Sequence, residues 1–149
     1  MNASTQTLRS EVSSKRSEVN HLLRDVAQLL DDIADADADA SWFLPAMPTD
    51  AVPDRLADLA SRLQNMFILE EDMGYLYELF PSQPGLRREF QRLHEDHGRL
   101  LDQLEEVSEL AGSSVEPAST WDDVESHYRS FARELVGHQR NEDAVRARG

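Results

Sequence analysis

Four polar residues occupy positions in the helical pattern where hydrophobic side chains are expected. Glu70 interrupts an apolar stripe that steps by three and four residues, the spacing that lines up one face of a helix. His97 lies near the centre of a second stripe, and His138 and Glu142 lie one turn apart on a third. An inward carboxylate requires a cation or hydrogen-bond donors in place of water. Together, two imidazoles and two carboxylates are a ligand set that suits Fe(II), Mn(II) or Zn(II).

The stripes predict four long helices. The first helix shows its apolar face from Val12 to Ile33, and the others are predicted over residues 54–80, 86–111 and from 120 onward. Thr120, followed by two aspartates, is the expected N-cap of the last helix. Loops rich in proline, glycine or serine separate the last three helices, and residues 35–53 form a longer connection. Short links imply antiparallel neighbours, so we expect an all-α, up-down-up-down antiparallel four-helix bundle.

The candidate ligands lie at one level of this bundle. Glu70 stands twelve residues before Ser82 and His97 fifteen after it, so their heights differ by about 4–5 Å at ~1.5 Å per residue. His97 and His138 are similarly level across the next loop. Accidental polar interruptions would fall at unrelated heights, and this agreement therefore favours one shared site formed by Glu70, His97, His138 and Glu142. Such a site either holds a metal or is a buried hydrogen-bonded cluster in which imidazolium pairs with carboxylate.

Composition narrows the function further. The 149 residues, 40% of them hydrophobic, are expected to form one domain spanning 1–149. The chain has no cysteine, so nitrogen and oxygen must hold any metal. A net charge of −14 with scattered basic residues argues against nucleic acid and membranes, and no apolar run is long enough to span a bilayer. We expect a cytoplasmic protein, with protein partners and enzymatic activity undetermined, since no motif specifies a reaction.

The chain resembles the hemerythrin-like, or HHE cation-binding, domain family. The resemblance lies in residues 135–143 (LVGHQRNED), 96–101 (DHGRLL) and 66–71 (MFILEE). It implies a four-helix bundle that holds a non-haem di-iron centre between its helices, with a small diatomic molecule as a candidate ligand. The two bridging carboxylates of the family would correspond to Glu70 and to either Glu142 or Asp143. Helical phase favours Glu142, which lies about 40° from His138, whereas Asp143 lies about 140° away.

The chain also departs from the family pattern. Histidines of the family's first two helices correspond to Val19 and Met66, and an additional third-helix histidine corresponds to Leu93. Valine has no donor atom, and a methionine thioether suits copper(I). We therefore expect one non-haem iron, or manganese or zinc, for sensing, storage or redox chemistry rather than oxygen carriage. Two irons would require ligands other than Val19 and Met66. The alternative is a metal-free, degenerate bundle that acts as an interaction module.

Other polar residues are expected to lie outside the site. His21 is predicted to face solvent, His94 to lie at the core edge or support the site from outside, and His127 to lie about 16 Å from His138 along the helix axis. Glu71, like Asp72 and Glu95, is expected to be an ordinary solvated charge.

Overall fold

Each apolar stripe forms a long helix in the computed structural model. The structure describes residues 3–38, 51–78, 84–113 and 118–148, and near several helix ends it describes the backbone alone. The helices are α1 (Ala3–Ala38), α2 (Ala51–Glu78), α3 (Pro84–Ser113) and α4 (Ala118–Arg148). Every described residue is helical. The expected all-α four-helix bundle is therefore confirmed.

Five helix boundaries differ from the predicted ones. α3 (Pro84–Ser113) is two residues longer at each end than the predicted 86–111. α2 begins at Ala51, three residues earlier than expected, because Pro53 is tolerated in a first turn and the fully buried Val52 joins the core. α1 continues to Ala38 through an Ala/Asp run, since alanine is the strongest helix former. α4 begins at Ala118, so Thr120 lies inside the helix and the predicted N-cap is wrong.

The predicted connections lie mostly outside the described residues. This holds for 39–50 and for the loop segments 79–83 and 114–117. The adjacent aromatics Trp42 and Phe43, which the sequence predicts to cap the end of the core, lie in the first of these. The apolar stripe of α2 also predicts Met73 and Tyr77 on its inner face, and their side chains are outside the described residues too.

The helices pack in a ring in which α1 contacts α2 and α4, and α3 contacts α2 and α4. The direction of α1 relative to α4 follows from contacts at three levels. Asp31 meets Arg129, the Asn20 side-chain oxygen accepts a hydrogen bond from the Gln139 amide, and Arg16 meets Asp143. Residue numbers rise along one helix as they fall along the other, so α1 and α4 are antiparallel. This ring order agrees with up-down-up-down connections.

Aliphatic and aromatic side chains fill the space between the helices. Tyr128 and Phe131 are the bulkiest groups in one part of the core, with ring centroids 6.2 Å apart. The fully buried members of the core are Val19, Val26, Val52, Leu56, Leu59, Leu63, Met66, Leu100, Leu104, Val124 and Leu135. Over the described ranges, no helix is both long enough and apolar enough to cross a bilayer.

Candidate metal centre

Three helices bring four ligand-type side chains together inside the bundle. α2 supplies Glu70, α3 supplies His97, and α4 supplies His138 and Glu142. Each offers one ligand atom within 4.8 Å of the others, and no residue of the four is more than 5% exposed. The predicted convergence is therefore observed, and the four residues lie close enough to hold one metal ion.

Glu70 lies between the two imidazoles. Its Oε2 atom is 3.1 Å from Nε2 of His97 and 3.9 Å from Nε2 of His138. The second carboxylate, Glu142, places Oε1 3.2 Å from the same Nε2 atom of His138. Each histidine thus turns its Nε2 atom inward, towards the carboxylates of Glu70 and Glu142.

The inner atoms of this cluster lack hydrogen bonds. Within the described part of the chain, both carboxylate oxygens of Glu70 and the Nε2 atoms of His97 and His138 are buried without a properly aligned hydrogen-bond partner. Such groups are rare in folded proteins because an unsatisfied buried polar atom costs about 1–3 kcal/mol. Four of them facing one another indicate that a ligand, such as a cation, would complete the cluster.

The outer nitrogen of each imidazole contacts a further carboxylate. Nδ1 of His138 lies 3.2 Å from Oδ2 of Asp96, and Nδ1 of His97 lies 3.1 Å from Oε1 of Glu71. A neutral imidazole that donates its Nδ1 hydrogen outward keeps a lone pair on Nε2. Asp96 and Glu71 therefore orient both rings so that Nε2 can act as a metal ligand.

Phe67 encloses the cluster on the α2 side. Its ring stacks on His97 with centroids 3.9 Å apart and planes inclined by 7°, and it meets His138 edge-on at 5.8 Å. The histidine rings are themselves perpendicular neighbours at 4.9 Å. These contacts restrict the ring rotations and exclude water, which strengthens electrostatic interactions within the cluster.

Two arginines contact the carboxylate of Glu142, one at each oxygen. Arg16 of α1 lies 3.4 Å from Oε1, and Arg146 of α4 lies 3.3 Å from Oε2. Arg16 also donates to Asp143 at 2.6 Å, and the Asp143 side chain is 60% exposed. Glu142 therefore faces the cluster and Asp143 the surface, in agreement with the helical phase.

Charge coupling shifts the protonation of the cluster. Burial raises the pKa of Glu142 to about 7, an effect that His138 opposes and the charge of Glu70 reinforces. For His138, burial alone would lower the pKa, but the carboxylates of Glu142, Glu70 and Asp96 beside the ring raise it to about 10. Burial disfavours the Glu70 carboxylate, yet His138 and His97 hold its pKa well below the ordinary value. A bound cation would take over the role of the His138 proton.

Three core positions at which the resemblance would place further histidine ligands are apolar. Val19 and Met66 are fully buried within the hydrophobic core, and Leu93 is buried in α3. None offers nitrogen or oxygen. The candidate ligands within the described residues therefore form one cluster rather than two.

The remaining histidines lie outside the cluster. The His21 side chain is 70% exposed and 3.5 Å from Asp25. His127 is exposed, with its ring hydrogen-bonded to a backbone carbonyl in its own helix. The His94 side chain is 64% exposed and lies 3.7 Å from Glu71, at the edge of the core.

Sequence reasoning missed three residues that shape the centre. Glu71 is expected to be solvated, but it is half-buried and contacts His97. The contact forms because its carboxylate extends sideways across the α2–α3 interface. Phe67 lies four residues after Leu63 and three before Glu70, but it is not a member of the predicted α2 stripe, which consists of Leu56, Leu59, Leu63, Met66, Glu70, Met73 and Tyr77. Arg16 lies one turn before Val19, a phase that already directed it towards the core edge.

Comparisons with known proteins add no relatives: no family model, curated protein or solved structure matches the chain.

Proposed function

We propose that this protein is a hemerythrin-like metal-binding protein that holds one non-haem iron, or manganese or zinc, between α2, α3 and α4. The ligands are Glu70, His97, His138 and Glu142. The supporting observation is the set of four buried inner atoms, two imidazole nitrogens and both Glu70 oxygens, that face one another without hydrogen bonds. Two histidines and two carboxylates leave coordination positions for water or a small diatomic molecule.

The apolar residues at Val19 and Met66 support one metal rather than two. Oxygen carriage in the resembled family relies on two irons that share the transferred electrons, so a single ion favours sensing, storage or redox chemistry. Among the described residues, no further arrangement of side chains specifies a substrate or a reaction. The proposal includes a cytoplasmic location, which the acidic composition of the chain and the lack of a membrane-spanning helix among the described residues support.

Metal analysis of the protein purified without chelators tests this assignment. We expect about one ion per chain, bound with higher affinity than in a His97→Ala/His138→Ala double variant, which should lose it. His21→Ala/His127→Ala is the matched control, because it removes two exposed histidines and should retain the metal. A folded wild-type chain that binds none of the three metals would overturn the proposal, and two ions per chain would overturn the single-ion assignment.

A second candidate function is a metal-free interaction module. Its support is the charge balance of the cluster, in which the Glu70 carboxylate can pair with a protonated His138 without any metal. A net charge of −14 would then provide an acidic surface for a basic partner. If the fold does not depend on a metal, the His97→Leu/His138→Leu variant should keep or raise the melting temperature, since apolar packing often replaces buried ion pairs favourably. A metal-dependent rise in melting temperature confined to the wild type would exclude this candidate.

A further inference from the structure

A cavity lies between α1 and α4, on the outer side of the residues that contact Glu142. Its volume is about 440 Å³, within the range of small-molecule sites. Three guanidinium groups line it, those of Arg9, Arg16 and Arg146, together with the hydroxyl-bearing Ser13 and a single acid, Asp143. The whole chain carries 29 acidic and 15 basic residues, so this lining inverts the charge of the protein.

The existing ion pairs do not use all the donors of the cavity. Arg16 employs its two terminal nitrogens towards Asp143 and Glu142, but its Nε atom is buried and has no hydrogen-bond partner within the described residues. A guanidinium has five N–H donors, and Arg146 directs one nitrogen towards Glu142. The guanidinium groups of Arg16 and Arg146 thus retain N–H donors that the carboxylates of Asp143 and Glu142 do not satisfy.

The remaining lining is apolar and small. Val12 is buried at the base, and Ala147 adds a methyl group at the rim, so a compact ligand would contact little hydrocarbon. Guanidinium groups recognise phosphate and carboxylate oxygens through paired, charge-assisted hydrogen bonds. Basic groups that surround a cavity of this size fit a small ligand better than a long chain or a flat surface.

We propose that this cavity is a binding site for a small oxyanion, either a phosphate group or the carboxylates of a small organic acid. Arg9, Arg16 and Arg146 bind its oxygens, and Ser13 can donate a further hydrogen bond. The site is separate from the metal centre, with Glu142 between them. Its existence does not depend on metal binding, because the arginines and the cavity belong to α1 and α4 alone.

Titration of metal-free, isotopically labelled protein with anions tests the proposal. Inorganic phosphate and, separately, succinate are added to about 20 mM at constant ionic strength, since a small anion with few contacts binds in the millimolar range. We expect saturable shifts of backbone amide signals in the segments that carry Ser13 and Ala147. Saturation by phosphate alone identifies a phosphoryl ligand, and saturation by succinate alone identifies a carboxylate ligand.

Charge-neutral variants show whether the arginines are responsible. Arg9→Gln and Arg146→Gln should each weaken the anion about tenfold, the effect of losing one charge-assisted hydrogen bond. Arg129→Gln is the matched control, because Arg129 is an exposed arginine of α4 that pairs with Asp31 and Glu125 away from the cavity. No saturable shift with either anion, or equal affinities in all three variants, would overturn the site. Metal content is measured on separate samples, so failure of the metal centre would leave this result unaffected.

Discussion

At the scale of single residues, orientation distinguishes the candidate metal ligands from ordinary buried polar groups. His97 and His138 each hold one nitrogen against an outer carboxylate and present the other inward. A buried histidine that serves only packing needs no such pairing on opposite sides of the ring. The outer carboxylates are therefore as much a part of the centre as the residues that would touch the ion.

Asp96 provides a test of this arrangement. Replacing it with alanine leaves all four candidate ligands but removes the acceptor for Nδ1 of His138, so the ring loses its fixed orientation. We expect metal affinity to fall about 10- to 100-fold, measured by competition with a chromogenic chelator. Asp102→Ala, an exposed acid on the same helix, is the matched control. Equal affinities in the two variants would contradict a positioning role for Asp96.

The four candidate ligands were predictable because each interrupts an apolar stripe, and a helical stripe assigns direction to its members. The supporting residues were harder to predict. Glu71 belongs to a neighbouring phase, and only the length of its side chain and the closeness of α3 bring it to His97. Such contacts depend on interhelical distance and rotamer choice, which the sequence pattern does not contain.

At the scale of secondary-structure elements, the helices that supply the histidines each contain a glycine beside the ligand. Gly98 follows His97, and Gly137 precedes His138. A Cβ atom at either position would meet nothing within 4 Å apart from the adjacent chain. Packing therefore does not require glycine there, and each one weakens its helix relative to alanine.

Gly137→Ala should stabilise the protein by about 1 kcal/mol, because alanine lowers the backbone entropy lost when α4 forms. Urea unfolding of the metal-free protein at neutral pH measures this change. Gly98→Ala should behave alike in α3, and metal affinity should remain unchanged in both. A loss of stability in either variant would show that the helix needs the freedom of glycine beside its histidine.

Helix number and type followed from hydrophobic periodicity, whereas the helix ends did not. Thr120 had the residue type of an N-cap, but α4 begins two residues earlier, at Ala118. The sequence predicts Pro53 at the end of the preceding connection, but Pro53 lies in the first turn of α2, where proline is tolerated. Local end signals compete with one another, and the choice among them depends on which residues, such as Val52, can be buried.

At the scale of the whole molecule, the cluster links stability to pH. In the metal-free protein, folding raises the pKa of His138 from 6.5 to about 10 and that of Glu142 from 4.5 to about 7. Between the unfolded and the folded pKa of each group, the folded chain binds more protons than the unfolded chain. The free energy of unfolding must therefore decrease as the pH rises through these two intervals. Glu70 acts in the opposite sense, since its lowered pKa removes stability only as the pH falls below 4.5.

We therefore expect the melting temperature of the metal-free protein to decrease between about pH 5 and pH 9, as measured by circular dichroism. Saturating metal should oppose this decrease, because the ion binds the deprotonated imidazoles and its affinity rises with pH. His127→Ala should retain the wild-type profile, since that histidine is exposed and outside the cluster. A melting temperature independent of pH over this interval would contradict the assigned protonation.

α1 is the one helix that contributes none of the four candidate ligands; its link to the centre runs through Arg16. A cation would tie three helices to a common point and leave the fourth attached by side-chain packing and ion pairs. Deuterium uptake by backbone amides should accordingly slow most around residues 70, 97 and 138 when metal is added, and least in the first half of α1. In such a bundle α2, α3 and α4 would move as one rigid body, and α1 would separate from it more readily. An equal decrease of deuterium uptake in all four helices would contradict this difference.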